Sequence, residues 1–119
     1  MRKENKDEQE CVLVRVFGRV QGVNFRYNVK RFAERAGIRG FVMNLSDGSV
    51  LLHACAEREK LDALLAFIRS NPGLAQVRRV EVSKAEANAR MKGFEIVREG
   101  SFAKDKGNAL KHFLKNIFR

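Results

Sequence analysis

The sequence predicts an α+β sandwich: an antiparallel-rich sheet with two helices packed on one of its faces. Three observations predict it. Short runs rich in valine and alternating in polarity recur at 11–17, 38–45, 50–56, 77–82 and 93–97, the signature of strands. Two longer segments, 25–36 and 57–69, repeat apolar residues at intervals of three and four, the signature of a helix that buries one stripe. The two kinds of segment alternate so that each helix joins strands of one half-covered sheet.

Taken in order, residues 1–10 are polar and are expected to fray, and Cys11 to Phe17 reads as the first strand. Asn24 is placed to cap the helix that follows, on which Val29, Phe32, Ala33 and Ala36 form one apolar face, and Gly37 is a natural stop. Ile38 to Leu45 and Val50 to Ala56 read as two strands joined by Ser46-Asp47-Gly48-Ser49, in which Asp-Gly tolerates the positive φ of a tight hairpin. Glu57 to Arg69 is the second helix, with Leu61, Leu64, Leu65 and Ile68 on one face. Val77 to Val82 and Gly93 to Val97 complete the set. The order β-α-β-β-α-β plus a short extra strand is that of the split βαβ, or ferredoxin-like, sandwich. Three regions follow: a tail at 1–10, a folded domain at 11–98 and a basic extension at 99–119. In the extension Leu110, Phe113, Leu114, Ile117 and Phe118 share one helical face, with Lys111, Lys115 and Arg119 elsewhere. It reads as a helix docking on this domain or on a second copy in a homodimer, or as an arm for nucleic acid or an acidic membrane.

A chain of 119 residues with 45% hydrophobic content suits one domain with one core. Its formal charge of +10 favours anionic partners. No apolar run reaches the length of a transmembrane helix, and the N-terminal residues carry no apolar signal segment, so a cytoplasmic protein is expected. Cys11 and Cys55 lack C-x-x-C spacing, which suggests neither a zinc site nor a disulfide framework; both read as small buried hydrophobes. His53 in a strand and His112 in the extension read as structural or surface residues.

The chemistry concentrates in Gly18-Arg19-Val20-Gln21-Gly22-Val23-Asn24-Phe25-Arg26, between the first strand and the first helix. Glycines before a helix N-terminus let backbone N–H groups converge on an anion. Arg26, just inside the helix, adds a planar fork that matches phosphate oxygens. A cation there opposes the positive end of the helix dipole, so its presence asks for an anion. The string resembles the acylphosphatase signature G-R-V-Q-G-V-x-F-R. A second segment, Gly40 to Val50, is similar to the other motif of that family, G-x-V-x-N-x-x-D-G-x-V. The resemblance spans roughly Val12 to Val97 and departs at Asn71-Pro72-Gly73, where the family usually has Gly-Pro.

The resemblance implies hydrolysis of an acyl phosphate to a carboxylate and inorganic phosphate, without metal or other cofactor. An acyl phosphate is a mixed anhydride whose carboxylate leaving group, with a pKa of about 4, departs without a general acid. What remains to be supplied is a grip on the phosphoryl oxygens, charge stabilisation and a placed water. The amides from Arg19 through Val20, Gln21, Gly22, Val23 and Asn24 to Phe25 would cradle the phosphate. The family's motif arginine and asparagine map onto Arg26, which would neutralise the phosphoryl oxygens, and Asn44, which would orient the water. Gln21 either orients the loop or faces solvent, Asp47 reads as a turn residue only, and Lys30, Arg31, Arg35 and Arg39 are expected to form a basic surface near the site. The alternative reading is a non-catalytic ferredoxin-like module that binds RNA, or senses a phosphorylated or carboxylate ligand. An RNA-binding sheet would show aromatics on its central strands, whereas the first strand here offers only Phe17, at its end.

Overall fold

The computed structural model describes residues 9–87 and 91–98. The order is β1 (Glu10–Arg19), α1 (Phe25–Ala36), β2 (Arg39–Asn44), β3 (Val50–Ala56), α2 (Arg58–Arg69), β4 (Gln76–Lys84) and β5 (Phe94–Arg98). The strands form a single sheet in the order β4-β1-β3-β2-β5, antiparallel throughout except for the parallel β2–β5 pair. The expected ferredoxin-like sandwich is therefore the fold. Among the described residues no helix is long and apolar enough to cross a membrane. The extension at 99–119, with His112, lies outside the described residues, as do residues 1–8 of the N-terminal tail.

The main core lies between the sheet and its helices. Val14, Val16, Val42, Leu52 and Ala54 from the strands meet Phe25, Val29, Ala33, Leu61, Leu64 and Ile68 from the helices. The rings of Phe32 and Phe67 stack 4.6 Å apart and join α1 to α2. Gly37 ends α1 in the left-handed region at φ 76°, where the Ile38 N–H reaches the Ala33 carbonyl at 2.8 Å. At the other end Asn24 occupies the cap position, but not through its side chain. It takes the left-handed conformation at φ 61°, and its carbonyl accepts the Asn28 N–H. Its amide therefore makes no capping bond to the helix, which corrects the expected cap.

The sheet is not half-covered. Central strand β3 is buried along its whole length, and on the face away from the helices Phe41, Met43, Leu51 and His53 are each 0% exposed. Among the described residues Met91 and Ala85, from the connection between β4 and β5, pack onto this second cluster together with Val97.

Cys11 and Cys55 face one another across the β1–β3 ladder, with Cα atoms 4.1 Å apart, and their sulfurs are bonded. The reading of two unlinked hydrophobes is corrected. The register, which spacing does not reveal, brings together residues 44 apart in sequence. Closing a loop of that length contributes about 4 kcal/mol in the chain-entropy description.

Candidate active site

The ends of β1 and β2 lie at the same edge of the sheet, because each runs antiparallel to β3 between them. Val16 and Asn44 both pair with Val50, the first residue of β3. The loop that leaves β1 and the last residue of β2 therefore face one another across the start of the central strand.

The loop is shaped by its backbone. The β1–β4 register shifts at Phe17 and Gly18. Gly18 sits at φ 131° so close to β4 that a Cβ would stand 2.2 Å from the Gln76 carbonyl oxygen, so only glycine fits. Gly22, at φ 73°, has open space around it, and its role is conformational. Gly22 and Asn24 are left-handed, with Val23 between them outside that region. Alternating backbone of this kind turns successive N–H groups to one side in anion-binding concavities. The loop leads into the N-terminus of α1, whose first N–H groups have no partner within the helix. Val20 and Phe25, each 1% exposed, anchor the loop at both ends.

Gln21 supplies the tether. Its Nε2 donates to the Leu45 carbonyl at 2.8 Å and to the Ser49 carbonyl at 2.9 Å, which draws the loop onto the β2–β3 turn beside Asn44. Of its two open readings the structure shows the first, an oriented loop. The turn itself is held from β1. Arg15 donates through Nε to Ser49 Oγ and forms an ion pair with Asp47. The Ser49 N–H and hydroxyl both donate to Asp47 Oδ1. These Ser49 bonds, with Arg15 behind them, hold the Asp47 carboxyl down to about 2. Asp47 is thus more than a turn residue. Its partner Arg15 carried no sequence signal, since only the β1–β3 register, with Arg15 opposite Leu51, brings it near the turn.

Arg26 lies in the first turn of α1, which has no acidic residue, and is half-buried. It forms no ion pair or side-chain hydrogen bond with any described residue. Asn44 shares its sheet face with Val42, the face toward the helices. Its Oδ1 is buried with no hydrogen-bond partner among the described residues. Such orphaned acceptors are rare and mark a place where a polar ligand or water belongs. Arg98, which sequence reasoning missed, pairs with Asn44 across the parallel β2–β5 ladder and brings a further cation to this edge.

The expected basic surface is not gathered at the site. Arg39 lies at the opposite end of β2 from Asn44, donating to the Met91 carbonyl and to Gln9. Lys30 pairs with Glu34, and Arg31 lies over the Tyr27 ring. Arg31 and Arg35 line a groove with Asn28, Phe32 and Phe67 along the helices. The reason is the helical repeat, which carries successive basic residues of α1 away from its N-terminus.

The arrangement matches known proteins. The profile of the acylphosphatase family matches residues 12–96. The chain is 48% identical over 81 residues to an acylphosphatase of Archaeoglobus fulgidus, covering 68% of this chain and 90% of that one. It is 42% identical over 84 residues to an acylphosphatase of Thermococcus kodakarensis, covering 71% and 91%. Its fold is similar to the structure of an acylphosphatase from Coxiella burnetii, with a TM-score of 0.69 and 34% identity over 82% of this chain and 100% of that one. The chain belongs to the acylphosphatase family.

Proposed function

We propose that this protein hydrolyses acyl phosphates to a carboxylate and inorganic phosphate without a metal. The amides of residues 19–25 and the guanidinium of Arg26 hold the phosphoryl group, and Asn44 orients the attacking water. A nucleophilic water must aim a lone pair at phosphorus, so at least one of its hydrogens needs an acceptor on the far side. The observation that carries the reading is the buried Asn44 Oδ1, an acceptor without a partner among the described residues, on the face shared with α1. Charge accumulating on the phosphoryl oxygens meets fixed N–H dipoles and one cation, which need no reorganisation during reaction. The leaving carboxylate needs no proton, so no acid–base pair is required. Inorganic phosphate, carrying the same oxygens, is both product and competitive inhibitor. A cytoplasmic location is the accompanying proposal.

The RNA-binding alternative is not favoured. On the helix-free face the central positions are Leu13, Leu51 and His53, all buried, and Phe17 lies under the guanidinium groups of Arg15 and Arg79. The central strands therefore offer no open aromatic platform for base stacking.

Asn44→Ala tests the division of labour. Turnover of a small aromatic acyl phosphate is expected to fall roughly 10²-fold or more, because water placement is lost. The inhibition constant of inorganic phosphate is expected to stay within about threefold of wild type, since loop and Arg26 are intact. A variant that keeps its turnover, or loses phosphate inhibition in proportion, contradicts the assignment.

A further inference from the structure

At the far end of the sheet from the loop lies a cluster that hydrolysis does not use. Cys11 is the second residue of β1, and Cys55 stands directly opposite near the end of β3. His53 precedes Cys55 by two residues and so shares its sheet face. The two sulfurs and a ring nitrogen of His53 all lie within 4.8 Å of one another. Seven steps along β1 separate Cys11 from Gly18, about 23 Å at the rise of an extended strand, so the cluster is remote from the β1–α1 loop.

We propose that, once the Cys11–Cys55 disulfide is reduced, this cluster binds one zinc-type metal ion through both thiolates and His53 Nδ1. The bonded pair is then the metal-free, oxidised state of the same site.

Three features point to a ligand set rather than a packed core. First, the donors suit one class of ion: two thiolates and an imidazole match a borderline-soft ion, and the thiolates neutralise its two positive charges. Second, His53 is oriented as metal-binding histidines are. Its Nε2 lies 2.8 Å from the Glu86 carbonyl, an acceptor only, so Nε2 carries the hydrogen and Nδ1 presents a lone pair. Nδ1 lies 3.9 Å from Cys55 Sγ, and the ring is fixed by stacking on Phe41 at 5.7 Å. Third, the spacing is near what an ion requires. Tetrahedral ligands at 2.0–2.3 Å stand roughly 3.5–3.8 Å apart. Breaking the S–S bond lets the sulfurs move apart by side-chain rotation toward that separation, and Cys11 is half-buried rather than enclosed in the core.

The chemistry balances in two steps. Two electrons and two protons from a thiol reductant cleave the S–S bond to two thiols, and the reductant leaves as its own disulfide. Metal binding then releases the two thiol protons and forms two metal–sulfur bonds. Spacing alone points to no metal-binding group here; the strand register creates one.

The test compares three anaerobic samples of the full chain: phosphine-reduced, oxidised, and reduced Cys11→Ser, a near-isosteric change at a half-buried position. Zinc affinity is read by competition with a chromophoric chelator. The reduced protein is expected to bind one equivalent roughly 10²-fold more tightly than either of the others. Cobalt in place of zinc should give thiolate charge-transfer bands, and zinc-edge X-ray absorption should show two sulfurs with one imidazole. Equal affinity in reduced and oxidised protein, full affinity in Cys11→Ser, or a metal shell without sulfur overturns the proposal.

Discussion

Replacing Gln21 tests how the site is assembled. Its side-chain amide makes two hydrogen bonds to backbone carbonyls, at 2.8 and 2.9 Å, and through them fixes the β1–α1 loop to the turn beside Asn44. In Gln21→Ala neither carbonyl is orphaned. The Leu45 carbonyl keeps the Gly48 N–H at 3.1 Å, and the Ser49 carbonyl keeps the Leu45 N–H at 2.9 Å. The loss is therefore the net value of two ordinary bonds, about 1–2 kcal/mol, rather than a desolvation penalty. For a domain of this size that lowers Tm by roughly 5–10 °C. Loosening the loop by an ångström is expected to reduce kcat/KM by about 10–10²-fold. Gln21→Glu sharpens the test, because it keeps the length of the side chain but turns an anion toward two carbonyl oxygens. It should be worse than alanine in both respects. Thermal melts and steady-state hydrolysis of an aromatic acyl phosphate measure the two effects. A Gln21→Ala protein with Tm within about 1 °C and kcat/KM within about twofold of wild type refutes the tether.

Arg26→Ala should lower kcat/KM on the order of 10³-fold while leaving Tm nearly unchanged, since Arg26 has no partner among the described residues to lose; a stopped assay with a parallel melt checks both. Stability and turnover should respond differently to pH. Burial holds His53 below 6.5, so the unfolded chain takes up a proton first: stability is complete above about pH 6.5 and declines as pH falls below it. The Asp47 carboxyl is held below its ordinary 3.8, so its contribution is present above that value and is lost as pH falls through about 2. Melts from neutral to acid pH should show the first decline near pH 6.5, while kcat stays level from about pH 5 to 7, because neither proposed catalytic group changes charge there.

Most of the fold was legible because its signals are local. Periodicity placed both helices to within a residue, and Asp47-Gly48 marked the hairpin. β4 extends beyond the expected Val77–Val82 to Gln76–Lys84, because the added residues Gln76, Ser83 and Lys84 are polar edge positions that lack an apolar pattern. What escaped was carried by register and by irregular chain. The Cys11–Cys55 bond depends on which residues of β1 and β3 stand opposite, which no spacing rule encodes. The buried helix-free face owes part of its cover to Met91, in a connection without periodicity. At the site, Arg26 and Asn44 were visible because each sits in a specific motif. Arg15 and Arg98 were not, since each reaches the site region only through pairing across the sheet.

The central claim is hydrolysis by positioned amides, an arginine and an oriented water, with no metal in the chemistry. The most direct measurement is steady-state hydrolysis of a small aromatic acyl phosphate by the purified full chain in excess chelator. The account predicts undiminished turnover, competitively inhibited by inorganic phosphate. Absence of turnover, or turnover abolished by the chelator and restored by a divalent ion, contradicts it.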